Sequence, residues 1–153
     1  MDKYCAVIGQ KLFTYDGGIE ITQYSILPKG GVRRNVKMAS DGRPVNNFYA
    51  MSNYDDKWFF VTGGESLRGK LNATIYYSIK TNTWKDGKAL NIGRSHHSSC
   101  VQKDKLYVVG GYSLKQGSGF LNSIEYLNTK GVINNIPSKW TILTFNEKEF
   151  PPR

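Results

Sequence analysis

Cysteine is almost missing from this 153-residue chain, which holds only Cys5 and Cys100. Two thiols cannot build the multi-bridge framework that small secreted domains use in place of a core, so that class is excluded. Long apolar runs are missing too. Nothing approaches the roughly 18 consecutive apolar residues that span a bilayer, and no membrane partner is expected. The apolar stretch of "MDKYCAVIGQKLF" is too short for a secretory signal, which makes the expected location cytoplasmic. Acidic residues are in deficit, 12 against 21 basic, for a net charge of +9. That balance passes a first screen for nucleic-acid binding. The basic residues are scattered, however, and the one local group (Lys29, Arg33, Arg34, Lys37, Arg43) is diluted by Asp41. Dispersed charge leaves no groove-shaped footprint, so a solvated basic surface is expected and nucleic acid is not.

Glycine and aromatic residues are plentiful: 16 Gly, 10 Tyr, 7 Phe and 3 Trp, beside only 5 Pro. This suits short strands joined by turns and predicts an all-β class. "KLFTYDGG" (Lys11–Gly18) returns as "KWFFVTGG" (Lys57–Gly64) and "KLYVVGG" (Lys105–Gly111), with Gly17, Gly63 and Gly110 at intervals of 46 and 47 residues. Around each glycine pair four β-type segments recur in one order. The third copy reads "SHHSSCVQ", "KLYVVGG", "NSIEYLN" and "KWTILTF"; the second reads "NNFYAMSN", "KWFFVTGG", "NATIYYSIK" and "TWKDG"; the first reads "YCAVIGQ", "KLFTYDGG", "EITQYSI" and a degenerate "RRNVKMA". Four strands per unit of just under 50 residues make a β-propeller blade. The expected blades are residues 1–42, 43–93 and 94–152. Cys5 and Cys100 fall ahead of glycine pairs, apparently at one strand position two repeats apart, and are expected to be small buried hydrophobes. A bridge between them would have to skip the middle repeat.

The chain resembles kelch-repeat proteins, whose signature is a double glycine ending the second strand, a Tyr in the third and a Trp in the fourth. The second repeat carries Gly63, Gly64, Tyr77 and Trp84. The third carries Gly110, Gly111, Tyr126 and Trp140, with "KGVINNIPS" stretching the Tyr-to-Trp spacing from 7 to 14. The first keeps Gly17, Gly18 and Tyr24 and lacks the Trp. Arg43 and Arg94 match an Arg that opens the family's first strand region, and Arg153 in "FPPR" matches the start of a further copy. The physical grounds are that a glycine pair admits turn angles and close approach of neighbouring sheets, while Tyr and Trp rings fill the wedge between stacked blades.

Candidate chemistry is sparse. His96 and His97 are adjacent in an expected strand, so they point to opposite faces and cannot easily share an ion. No ligand-type residue stands at metal spacing nearby. The family includes a copper enzyme, galactose oxidase, with His and Tyr ligands, but two neighbouring histidines do not reproduce a site assembled from several blades. Packing is expected for one histidine and a polar contact at the loop mouth for the other. Asp55 and Asp56 read as a turn, and Ser98 and Ser99 lack a nucleophile elbow. No catalytic residue, metal or cofactor is therefore expected.

The resemblance implies recognition of a protein segment by side chains around the channel mouth. By it Arg43, Arg94 and His96, with Arg68, Tyr112 and Lys115 in the loops after the glycine pairs, are candidate contacts for a protein partner, acidic given the net charge. Bracing of neighbouring blades by Arg43 and Arg94 is the equally weighted alternative. The leading expectation is a non-enzymatic interaction module. The alternatives are a carbohydrate- or small-molecule-active propeller enzyme and a structural cytoskeletal or ciliary component. Three blades do not close a ring, for which four to eight are typical. Further blades in the same chain, or a second copy making a six-bladed ring, are expected to complete it.

Overall fold

The computed structural model describes residues 4–15, 21–38, 47–66, 69–70, 72–113 and 119–143. Gly17, Gly18, Arg43, Arg68 and Lys115 lie outside the described residues.

Alternating apolar residues bounded by Gly, Asn and Asp produce three antiparallel four-stranded sheets. The first blade holds β1 (Tyr4–Ile8), β2 (Lys11–Tyr15), β3 (Ile21–Ile26) and β4 (Val32–Met38). The second begins with β5 (Ala50–Tyr54) and β6 (Trp58–Thr62). After a small hairpin of β7 (Glu65–Ser66) and β8 (Gly69–Lys70), it ends with β9 (Thr74–Ser78) and β10 (Thr83–Asp86). The third holds β11 (Ser98–Gln102), β12 (Lys105–Val109), β13 (Ile124–Asn128) and β14 (Thr141–Leu143). In each sheet the four strands lie in sequence order. The first strands touch across blades, β5 lying against β1 on one side and β11 on the other. They are the inner strands of a stack of blades. The insertion between Tyr126 and Trp140 folds as a five-residue helix, α1 (Thr129–Ile133), whose first turn is capped by the Asn128 side chain accepting from the Gly131 amide at 3.0 Å.

Two seams hold the stack together. Between the first and second blades, Ile8, Phe13, Tyr15 and Ile21 meet Tyr49, Phe59, Val61, Ile75 and Tyr77, with Trp84 packed alongside. Trp84 stands between Tyr15 and Tyr77, 5.2 and 5.1 Å between ring centroids. Between the second and third blades, Tyr54, Phe60 and Tyr76 meet Leu106, Val108, Leu127 and Trp140, with Val132 of α1. The Trp140 indole N–H donates to the Lys88 carbonyl at 2.8 Å, tying the residue just before β14 to the connection leaving the second blade.

Strand register corrects three expectations. Tyr24 pairs across the sheet with Leu12, and Tyr77 with Phe59, which puts them at the same position. Leu127, paired with Leu106, holds that position in the third blade; Tyr126 pairs with Tyr107 and stands on the opposite face. A one-residue shift along a strand exchanges its faces. The same arithmetic separates the cysteines. Counted from the turn, Cys5 pairs with Thr14 and Cys100 with Tyr107, one position apart, and both thiols are exposed instead of buried. Finally, His96 and His97 precede β11 and are not part of it, because His96 has φ of 55° and turns the chain before the strand begins.

Candidate functional site

One end of the stack is built from the residues leading into the first strands and from the segments after the glycine pairs. Asn47 bridges to Glu65 in the second blade, and Ser95 to Tyr112 in the third. Gly63 and Gly64 (φ 62° and 105°) and Gly110 and Gly111 (φ 63° and 95°) turn the chain there. The left-handed angles are available to glycine at no steric cost. Space demands glycine as well: a Cβ on Gly63 would lie 2.4 Å from the Arg94 carbonyl oxygen, and one on Gly111 2.7 Å from that of Ser95.

At this end two non-glycine residues hold the same unusual backbone. Phe48 and His96 have φ of 56° and 55°. Each sits six residues before the end of its blade's first strand. A bulky side chain in the left-handed region costs on the order of 1–3 kcal/mol and persists where its surroundings hold it. Here the His96 amide donates to the Phe48 carbonyl at 2.9 Å, and the two rings stack at 3.9 Å with 19° between planes. His96 Nδ1 lies 3.1 Å from Ser95 Oγ, and its ring remains exposed. Tyr112 and Phe120 meet edge-on at 5.5 Å. Phe120, 80% exposed, is the most exposed large apolar side chain among the described residues. His96, Gly111, Tyr112, Phe120 and Leu121 line an open cavity of about 510 Å³, within the roughly 300–1,000 Å³ range of ligand pockets.

His97 is the opposite case. It is buried, Nε2 lies 2.9 Å from Thr62 Oγ1, and Nδ1 has no hydrogen-bond partner. Burial, reinforced by the Arg94 charge, pushes its pKa down to about 4, so it is neutral at pH 7.

Arg94 is no mouth residue. Its side chain is fully buried, paired at 2.6 Å with the equally buried Glu125. It also donates to the carbonyl oxygens of Gly110 and Ser123 at 2.8 and 3.3 Å. Glu125 in turn accepts from the backbone amides of Asn91 and Ile92. The pair pins the connection between the second and third blades, and bracing displaces the recognition role for this residue. Of the expected contact residues within the described part, the structure brings His96 and Tyr112 together and removes Arg94. Phe48 and Phe120 escaped the sequence reading. Phe48 carried a signal, since it precedes His96 by 48 residues, one repeat. Phe120 carried only its oddity as a lone aromatic in "LKQGSGF".

The three sheets and their glycine-turned mouth define a β-propeller assembly of at least three blades. Searches with known proteins agree. The Kelch motif model matches residues 93–131, the third blade up to α1. The solved structure of YjhT, a propeller, is similar with a TM-score of 0.74 at 15% identity; the match covers 94% of this chain and 50% of that one. The chain thus spans about half the length of that structure. No curated protein sequence matches it. The third blade carries a Kelch motif, and the fold is that of kelch-type propeller blades.

Proposed function

We propose that the chain is a non-enzymatic protein-interaction module that presents the mouth formed by His96, Tyr112 and Phe120 to a protein partner. The observation that carries this reading is the solvent-facing Phe120 beside a cavity also lined by His96, whose backbone is strained and whose ring stacks on Phe48. Backbone strain of this kind clusters at functional sites, and aromatic side chains are common interface anchors. The net charge of +9 favours an acidic partner by speeding encounter. Fold alone does not assign this role, so the reading rests on the site.

The test is capture of partners by the immobilised protein, repeated with Phe120→Ser and with His96→Ala. A partner lost with Phe120→Ser while the melting temperature stays unchanged supports the reading. A partner retained by both variants, or turnover of a small metabolite with no protein bound, overturns it.

A further inference from the structure

The insertion that stretches the third repeat stands away from the mouth. β13 runs from the glycine turn toward the opposite end of the stack, where Asn128 pairs with Lys105 and α1 begins. There the inserted segment folds back on itself. A Cβ on Gly131 would overlap Ser138 Oγ, so the returning limb lies against α1 only because residue 131 is glycine. The fold-back leaves an open cavity of about 390 Å³, lined among others by Tyr126, Asn128, Lys130, Pro137, Lys139 and Thr141. That volume falls in the range of small-ligand sites, roughly 300–1,000 Å³.

The charge around this cavity has one sign. Lys130 and Lys139 come from the two limbs of the insertion, and among the described residues no carboxylate lines the cavity. A third ammonium, that of Lys105, is held 4.6 Å from the centroid of the Tyr126 ring, which forms one wall. The ring's negative face fixes a lysine head that would otherwise move freely in water. The acids next in sequence to Lys105 and Tyr126 are engaged elsewhere: Asp104 accepts from the Tyr54 hydroxyl, and Glu125 is paired with Arg94. None of the three ammonium groups forms an ion pair among the described residues. Cations gathered at one concavity raise the local concentration of anions there. Neutral donors stand beside them. Asn128 Oδ1 is committed to the Gly131 amide, so its Nδ2 keeps its protons for another acceptor. The Thr141 hydroxyl has no partner among the described residues.

We propose that this cavity binds a phosphate monoester, the phosphate among Lys105, Lys130 and Lys139 and the organic body against Tyr126 and Pro137. Charge selects the phosphate. Several monovalent cations match a doubly charged anion better than a singly charged one. Lysine holds phosphate as a point charge, whereas a planar carboxylate is gripped best by the arginine fork, which no described lining residue supplies. A free ester and a phosphorylated side chain of a peptide present the same group, and the test below separates them. The site shares no residue with the mouth, so its failure leaves the interaction reading standing.

The experiment is calorimetric titration of the intact chain with phenyl phosphate, with benzoate, and with a tyrosine peptide in phosphorylated and unphosphorylated form. Phenyl phosphate is expected to bind and benzoate to bind far more weakly. Lys130→Gln combined with Lys139→Gln should weaken binding about tenfold or more. Lys29→Gln combined with Lys80→Gln removes the same net charge at distant turns and should change it little. All four lysines are exposed, so neither double variant should alter the melting temperature. A phosphate ester loses its second proton at about pH 6, so affinity should rise between about pH 5.5 and about pH 7.5. Binding of phenyl phosphate upholds the proposal with a free ester as ligand. Binding of the phosphorylated peptide alone, with its unphosphorylated form inert, upholds it with a modified chain as ligand. Binding of neither overturns it. So does benzoate held as tightly as phenyl phosphate, a flat pH profile, or equal weakening by the two double variants.

Discussion

The two seams seal the same geometry by different means. Between the first and second blades the contact is built from rings and aliphatic chains, with Phe13 on Phe59 at 6.0 Å and Tyr15 on Tyr49 at 5.2 Å. A cross-blade hydrogen bond runs from the Tyr49 hydroxyl to the Tyr15 carbonyl at 2.9 Å. The seam between the second and third blades is laced with polar contacts: Ser52 with Ser99, the Tyr54 hydroxyl donating to Asp104 at 2.7 Å, and Thr62 with His97. Beside it lies the buried Arg94–Glu125 pair. Apolar contact is non-directional and tolerates sliding, whereas buried polar groups must find their partners or lose their solvation uncompensated. One seam supplies cohesion; the other also sets how the neighbouring blade is placed.

The largest expected effect comes from breaking the polar side. Glu125→Ala leaves Arg94 buried without its counterion and strips the acceptor from the Asn91 and Ile92 amides. A loss of about 5 kcal/mol is expected in chemical denaturation. Replacing both Arg94 and Glu125 by Leu should recover part of that loss, since removing the pair together avoids the lone charge but not the orphaned amides. Phe59→Ala, at the centre of the apolar seam, should cost about 4 kcal/mol, through lost burial and the cavity left behind. Here no second substitution on the partner blade should rescue it.

A pH series sharpens the contrast. The folded protein holds His97 neutral down to about pH 4, while in the unfolded chain it titrates near 6.5. Between those values the unfolded state binds the extra proton, so stability falls as the pH falls through this window, by up to about 3 kcal/mol, and this contribution is constant below it. His97→Gln should flatten the slope, and thermal melts from pH 7 to pH 4 check it. Tyr49→Phe is the smallest expected effect, about 1 kcal/mol for the hydrogen bond to Tyr15.

Much of this architecture could be read from the residues. The glycine pairs, the four-segment repeat and the apolar alternation led to three blades of four strands, because local periodicity and turn chemistry decide those features. Faces were harder. "TIYYSIK" offers two adjacent tyrosines, and nothing local says that Tyr126 matches Tyr76 in register and not Tyr77. Cys5 and Cys100 were misplaced by the same single step. Arg94 could not be assigned to bracing from sequence, since its partner Glu125 lies 31 residues away in another strand. The mouth was half legible: His96 and Tyr112 stood out, while the left-handed backbone that aims His96 arises from its bond to a neighbouring blade.

That bond, from the His96 amide to the Phe48 carbonyl, means that the proposed contact residue is also an anchor between blades. Whatever seats on His96 bears on the junction beneath it, so a bound molecule should make the whole stack harder to melt without touching either seam. Conversely, a chain whose blades have begun to part should lose the proposed partner first.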